Sequence, residues 1–400
     1  MEDKMHKLGL FAAFLISGCA VDGKDGPTGP EGATGANGSD GTAGAIGPQG
    51  PAGPQLAMPA VYTLSNASSG NQVTAYTRAS NGNLSRKGRY TTGGNGLGSG
   101  LGSQGALVFD ARTQRFFAVN TGDNTISMLA LGSDGVLTAL STVASGGMRP
   151  VSIAVSGSYI YVANQGNLTA TPVGANISGF QIQNNDLVAI ASSTQPLSAD
   201  SDVHPTDIRF SPDGKFLVVA ERLANKLDTF RVTSGVAQPG NFQSSAGQQP
   251  FAFDWSPEGF LIVAEVGNGT ATGSSASSYS LSSGGVLTPV TSALATQQGA
   301  ACWLVTAGGY AYIANAATAN ITGLNVAENG ALTLHDASGI TATTAAGSID
   351  LAVPGDNGFL YALAGSTHSV YIFSINSDGS LGALPALPSL PATAAGLVAR

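Results

Sequence analysis

Between residues 59 and 400 the chain repeats one pattern seven times: a run of consecutive apolar residues that ends in a short polar step. The runs occupy 61–64 before Asn66, 116–119 before Asn120, 159–163 before Asn164 and 216–220 before Glu221. They continue with 260–264 before Glu265, 310–314 before Asn315 and 359–364 before Gly365. The ends of these runs lie 54, 44, 57, 44, 50 and 50 residues apart, a spacing that fits units of four short strands. Each run follows a shorter apolar strand and a turn such as Ser211-Pro212-Asp213-Gly214 or Ser256-Pro257-Glu258-Gly259. An alternating strand comes next, as in Ser369-Val370-Tyr371-Ile372-Phe373, and a Gly-x-Leu step such as Gly135-Val136-Leu137 or Gly330-Ala331-Leu332 opens a fourth. Asp-Gly and Asn-Gly pairs supply the positive φ that tight hairpins need. Runs that are apolar throughout, instead of alternating, suit strands covered on both faces by neighbouring sheets. No helical period competes with this reading after residue 20.

The pattern predicts an all-β fold over 59–400, a seven-bladed β-propeller of four-stranded antiparallel blades. Its first copy begins at Val61 with what matches a second strand, so an innermost strand is missing there. The segment 394–399 reads as that strand. Pairing it with the first copy closes the ring and removes the exposed edges.

Two further patterns precede the repeats. Lys4 and Lys7, an apolar run over 8–16 and the step Leu15-Ile16-Ser17-Gly18-Cys19 make up a secretory signal over 1–18, whose apolar core is too short to span a bilayer. Its ending resembles a bacterial lipobox, which implies cleavage before Cys19, lipidation of that thiol and a lipid-anchored, exported protein of the cell envelope. The membrane contact is then the Cys19 lipid alone, and Ala20 resembles an outer-membrane sorting signal. Glu2 and Asp3 are unusual in such a region, so Met5 competes with Met1 as the start. After residues 19–22, glycine recurs every third position from 23 to 53, eleven times without a break. Pro27, Pro30, Pro48, Pro51 and Pro54 each follow one of these glycines. Only glycine fits the crowded axis of a collagen triple helix, so 23–55 resembles a collagen-like stalk and implies a homotrimer. The same period also serves a single-chain spacer.

Composition then narrows the chemistry. Twenty-four acidic against 16 basic residues give a net charge of −8 without a basic block, which excludes a nucleic-acid backbone binder. Two cysteines exclude a disulfide scaffold, and lipidation of Cys19 leaves Cys302 without a partner. The glycine-rich run 93–102 has no P-loop Lys and leads into a strand, so it reads as a flexible connector in preference to an anion cradle. No dense set of oxygen or nitrogen ligands and no nucleotide-binding loop is present, so neither metal nor cofactor is expected.

In an antiparallel blade the start of the first strand and the end of the second meet at one rim. That rule gathers Arg149, His204, Gln249, Cys302, Trp303 and Asp350 with Asn66, Asn120, Asn164, Glu221, Arg222, Glu265 and Asn315 at one mouth of the channel. The asparagines read as turn caps. Of the four histidines, only His204 falls at this rim.

Over nearly all of 60–400 the chain resembles the lactonase family of seven-bladed propellers, which includes bacterial 6-phosphogluconolactonases and fungal muconate-lactonising enzymes. The residues that carry it are Ser211-Pro212-Asp213-Gly214-Lys215-Phe216-Leu217, Gln249-Pro250-Phe251-Ala252-Phe253 and Ala301-Cys302-Trp303. Tyr312-Ile313-Ala314-Asn315 and Ser348-Ile349-Asp350-Leu351-Ala352 complete the set. The resemblance implies lactone hydrolysis at the mouth, with His204 at the position of a functional histidine and Glu265 one residue out of register with an acidic one. Thr206 stands where a second histidine is common, and Ala316 where an arginine is expected. Ester hydrolysis needs a base, which His204 or Glu265 could be, and an oxyanion donor, which Arg222 or Arg149 could be; the catalytic set is then His204, Glu265 and Arg222. Arg149, Glu221, Trp303 and Asp350 would contact a small-molecule ligand such as a lactone. No Gly-x-Ser-x-Gly elbow points to an acyl-enzyme. The alternative is a non-catalytic surface binding or adhesion module carried on the stalk.

Overall fold

The computed structural model describes residues 59–167, 173–199 and 202–400. The signal 1–18, Cys19, residues 19–22 and the Gly-X-Y segment 23–55 lie outside these residues. Seven antiparallel sheets follow in chain order, each with at least four strands, and no helix occurs among the described residues. The innermost strands are Leu107–Asp110, Pro150–Ser156, Pro205–Phe210, Pro250–Trp255, Ala301–Ala307 and Ser348–Ala352, for blades 2 to 7. Blade 1 takes its innermost strand from the other end of the chain: Ala395–Ala399 pairs antiparallel with Ala60–Leu64. Each innermost strand touches the next, and Ala395–Ala399 lies between Ser348–Ala352 and Leu107–Asp110, so the ring is closed. The fold is a seven-bladed β-propeller, as the repeats predict.

Burial follows strand position within each blade. All six residues of the second strand Phe216–Glu221 are buried, whereas the outer strand Leu137–Ala144 is largely exposed. This is why the second strands are apolar without alternation: a blade faces another blade on both sides. Polar clasps join the blades as well. The hydroxyls of Tyr161 and Tyr312 donate to the Gly235 and Gly379 carbonyls of the following blade at 2.8 Å, and Thr229 donates to Gly285 at 2.6 Å. Each acceptor sits in a hairpin at positive φ, 82°, 87° and 85°, where glycine carries no steric cost.

One irregularity recurs and positions the site. The pairing of first and second strands slips by a bulge after Pro150, Pro205, Pro250, Ala301 and Ser348. A bulge bends its strand and re-aims the residues beyond it. Residues before the bulge therefore stay at the rim, and those after it turn into the channel.

Candidate functional site

The residue that precedes each innermost strand sits in the left-handed region in five blades. Arg149, His204, Gln249, Ala300 and Gly347 have φ of 57°, 52°, 57°, 56° and 71°. Their carbonyls accept from the N–H groups of Gln165, Arg222, Val266, Ala316 and Gly365, at 2.9–3.1 Å. The conformation is thus a property of the blade, not of one functional residue. It sets four side chains around the mouth, Gly347 having none.

At blade 4 that side chain is His204, 26% exposed. The amide nitrogen of buried Gln165 donates to His204 Nε2 at 3.3 Å and to the Pro205 carbonyl at 3.4 Å. The second bond fixes the amide orientation, so Nε2 is the acceptor and the proton resides on Nδ1, which faces Asp202 Oδ1 at 3.8 Å. Gly102 leaves the space beside Nε2 open, since a Cβ there would stand 3.8 Å away. Burial, the Arg222 guanidinium and, more weakly, Arg149 hold the imidazole below its ordinary value of 6.5, with Asp202 opposing them. Arg222 Nε is buried and has no hydrogen-bond partner among the described residues. The same guanidinium acts on Cys302, but burial pushes that thiol up to about 12, which leaves it inert. Arg149 is exposed at the rim.

The ends of the second strands belong to the blades, not to the mouth. Glu265 is fully buried; its carboxylate accepts from Gly247 N–H at 2.8 Å, Ser277 Oγ at 2.7 Å, Ser245 Oγ at 3.2 Å and Ser275 Oγ. Gly247 is required, because a Cβ there would meet Glu265 Oε2 at 1.7 Å. Despite four donors, burial raises the Glu265 pKa. Asn120, Asn164 and Asn315 play the same part, donating to Ser127, Ser178 and Thr322 at 2.8, 3.1 and 2.8 Å. In blade 4 the pair is Glu221 and Asp228. Glu221 accepts from Ser198 N–H at 2.8 Å and from its hydroxyl, and Asp228 shares a hydrogen bond with Glu221. Burial first and Glu221 second hold Asp228 far above the ordinary carboxyl range, so it stays protonated. Glu265→Ala should therefore cost on the order of 3 kcal/mol of stability by stranding four donors, read as a lowered denaturation midpoint. Glu265→Gln should recover most of it. A Gln variant that folds normally yet loses an activity measured on the wild type would give Glu265 a chemical role instead.

The glycine-rich segment is not a loose connector. Gly96 N–H donates to the Ala67 carbonyl, Gly98 N–H to the Asn66 carbonyl and Leu97 N–H to Asn66 Oδ1, each at 2.8 Å, while Asn66 Nδ2 donates to the Ser99 carbonyl at 2.6 Å. Gly96 has no room for a side chain, since a Cβ would lie 2.1 Å from the Asn66 backbone. Beyond it the chain descends into the channel. Gln104 N–H donates to the Thr206 carbonyl at 2.8 Å, and its side chain exchanges two bonds with Leu304, at 2.7 and 3.0 Å. Trp303 is buried, its indole N–H bonded to the Ser103 carbonyl at 2.9 Å. It braces the plug and does not line the mouth.

Asp350 lies beyond the bulge, on the channel side of Gln104, apart from His204. There it lines a cavity of about 550 Å³ with Asp207, Arg209, Asp254 and Thr306. Arg209 Nε bonds Asp207 at 3.2 Å and Nη1 bonds Asp254 at 3.0 Å. Thr306 donates to Asp254 through N–H and Oγ1, both at 3.0 Å. The strand-start rule misses Asp207, Arg209 and Asp254. The signal for them is a charge at alternate positions of otherwise apolar innermost strands, Asp207-Ile208-Arg209 and Phe253-Asp254, which places both charges of the first pair on one face.

Comparison with known proteins agrees with this architecture. A profile of the lactonase family, described as a 7-bladed β-propeller, matches residues 173–298, a segment that includes His204, Glu221, Arg222 and Glu265. A profile of the LVIVD repeat matches 150–169 and 298–318. No curated protein matches by sequence. Among solved structures, a candidate 6-phosphogluconolactonase of Bacteroides uniformis superposes with a TM-score of 0.65 at 18% identity, over 86% of this chain and 99% of its own. The periplasmic gluconolactonase of Pseudomonas aeruginosa gives 0.66 at 17% identity, over 84% and 98%. A streptogramin B lyase gives 0.53 at 12% identity, over 75% and 88%. At such identities these structures establish the fold alone. The chain is a seven-bladed β-propeller similar to the lactonase family from the outer half of its third blade through its fourth and fifth.

Proposed function

We propose that this protein opens a lactone at the mouth carrying His204. The observation that carries the reading is a neutral imidazole, with Nε2 unprotonated, beside an arginine whose buried Nε has no partner among the described residues. Nε2 would exchange the long Gln165 contact at 3.3 Å for a water and take its proton as the oxygen attacks the lactone carbonyl. Arg222 would hold the oxyanion that forms. Collapse would break the ring C–O bond, and the imidazolium would return its proton to the departing alkoxide, giving a hydroxy acid. Arg149, exposed at the rim, would meet an acidic substituent on the substrate. Supporting this are the lactonase-family profile across His204 and Arg222 and structural relatives named as gluconolactonases.

The second reading, a non-catalytic binding or adhesion head, is favoured by one observation. Thr206 Oγ1, at the place of a second family histidine, is spent on the Phe251 carbonyl at 2.6 Å and cannot serve a reaction. A panel of five- and six-membered lactones, including sugar lactones, offered to the full chain with acid release followed against His204→Ala, separates the two. The enzyme reading requires release above the buffer rate that depends on His204; no release from any lactone supports the binding head.

For the N-terminal part we propose export, lipidation at Cys19 and trimerisation through 23–55. Cys19→Ser should leave an unprocessed, lipid-free precursor; a mature lipoprotein in that variant would refute the anchor. The full chain should sediment as a trimer, and Gly38→Val, by crowding the triple-helix axis, should shift it towards monomer.

A further inference from the structure

We infer that the central channel is a second binding site, open on the face opposite His204, for a neutral polyhydroxylated ring of monosaccharide size. This inference does not rest on the lactone reading. The cavity of about 550 Å³ reaches the turns between first and second strands, where Ser156, Ser211 and Pro212 line it, and stops at Gln104 on the other side. Such a volume falls within the range of small-molecule sites, about 300–1,000 Å³. Gln104 is bonded to Leu304 and Thr206 across the channel, so the two sites do not communicate through it.

The chemistry of the walls selects the ligand. Arg209 is 28% exposed and spends Nε and Nη1 on Asp207 and Asp254; Nη2 makes no hydrogen bond to a described residue. It offers N–H donors to an acceptor. Asp254 is engaged by Arg209, Thr306 and the Trp255 N–H. Burial holds Asp350 well above the usual carboxylate range and raises Asp207 as well; Asp350, 2% exposed, already accepts from the Leu351 N–H at 2.9 Å, and in its protonated form its carboxyl would still offer a donor and an acceptor at the cavity wall. One guanidinium against at most two carboxylates leaves the channel close to neutral, which favours neither an anion nor a cation. Phe109, Phe210 and Trp255 supply apolar surface near the open end. Donors, acceptors and aromatic carbon together suit the hydroxyls and C–H face of a sugar or cyclitol.

The chain has two tryptophans, Trp255 in this cavity and Trp303 at the plug. In the full chain carrying Trp303→Phe, Trp255 fluorescence should respond saturably to D-glucose, D-galactose or myo-inositol. Asp350→Leu should weaken that binding about tenfold or more, and Asp350→Asn, which keeps a donor and an acceptor, should hold it within about twofold. Val353→Phe, which narrows the cavity without touching the ion pairs, should also abolish it and keeps the test open if Asp350→Leu fails to fold. His204→Ala should leave the response intact. The inference falls if no neutral ring gives a saturable response in folded protein. It falls equally if ethanolamine or acetate binds more tightly than the rings, or if Val353→Phe binds as the parent does.

Discussion

Replacing His204 by Ala should lower kcat/KM for lactone opening by ~10²–10⁴-fold, the usual cost of removing a general base, with little change in thermal stability. The fold uses the backbone at this position, not the ring: the His204 carbonyl accepts the Arg222 N–H at 3.1 Å, and its φ is 52°. Alanine tolerates that conformation in this same architecture, because Ala300 holds the equivalent place in blade 6 at φ 56°. Loss of rate in a folded variant would therefore report the imidazole. The pH profile adds an independent reading. A base whose folded pKa lies below 6.5 remains unprotonated further into acid, so the acid limb of kcat/KM should fall below pH 6.5. His204→Ala should lack that limb. A wild-type limb at or above pH 6.5, or an Ala variant with the full rate, would remove His204 from the mechanism. Arg222→Met should reduce kcat more than it raises KM, since the oxyanion exists only in the transition state.

The blades were legible because apolar runs without alternation require two covered faces, and seven such runs at regular spacing leave few other folds. The closing strand was legible for a related reason: a second strand at Val61 demanded a partner, and Ala395–Ala399 provides it. Side-chain direction at the mouth was less accessible. Counting from strand starts puts His204 and Asp350 together, but the bulge after Pro205 and after Ser348 intervenes and sends Asp207 and Asp350 into the channel. A bulge carries no signature as regular as an apolar run, so register past it cannot be counted. Glu265 illustrates a different limit. A carboxylate at a strand end reads as chemistry, and only the four donors around it, three of them twelve residues or more away in sequence, reveal a buried clasp. The glycine run misleads in the opposite direction. Glycine permits flexibility, but here it permits close approach, as at Gly96 against Asn66.

A chain that stops at Ala394 should lose its cooperative unfolding transition or melt at least about 15 °C lower, the largest stability effect expected of any change considered. Deletion removes Ala395–Ala399 from blade 1, where Val61 pairs with Ala399, Tyr62 with Val398 and Thr63 with Leu397. Ala60 and Arg400 exchange two further backbone bonds, at 3.1 and 2.9 Å. Leu397, 6% exposed, leaves a cluster with Val61, Tyr76 and Leu363. Five buried residues of Ala60–Leu64 then lie along an open edge. At about 1 kcal/mol for each of several backbone bonds and about 2 kcal/mol for the leucine, the direct loss exceeds about 5 kcal/mol. That is comparable with the whole stability of an ordinary domain, about 5–15 kcal/mol. The damage also spreads round the ring, because the strand is wedged between Leu107–Asp110 and Ser348–Ala352 and its removal unseats both neighbours. An edge left open pairs readily with any extended chain. A synthetic peptide of residues 394–400 should therefore restore part of the lost transition in trans, and one with Leu397→Asp should not. Calorimetry and circular dichroism on the shortened chain, with and without each peptide, decide the matter: melting within about 2 °C of the parent would mean that blade 1 stands with three strands and that the ring is held shut by its other six blades.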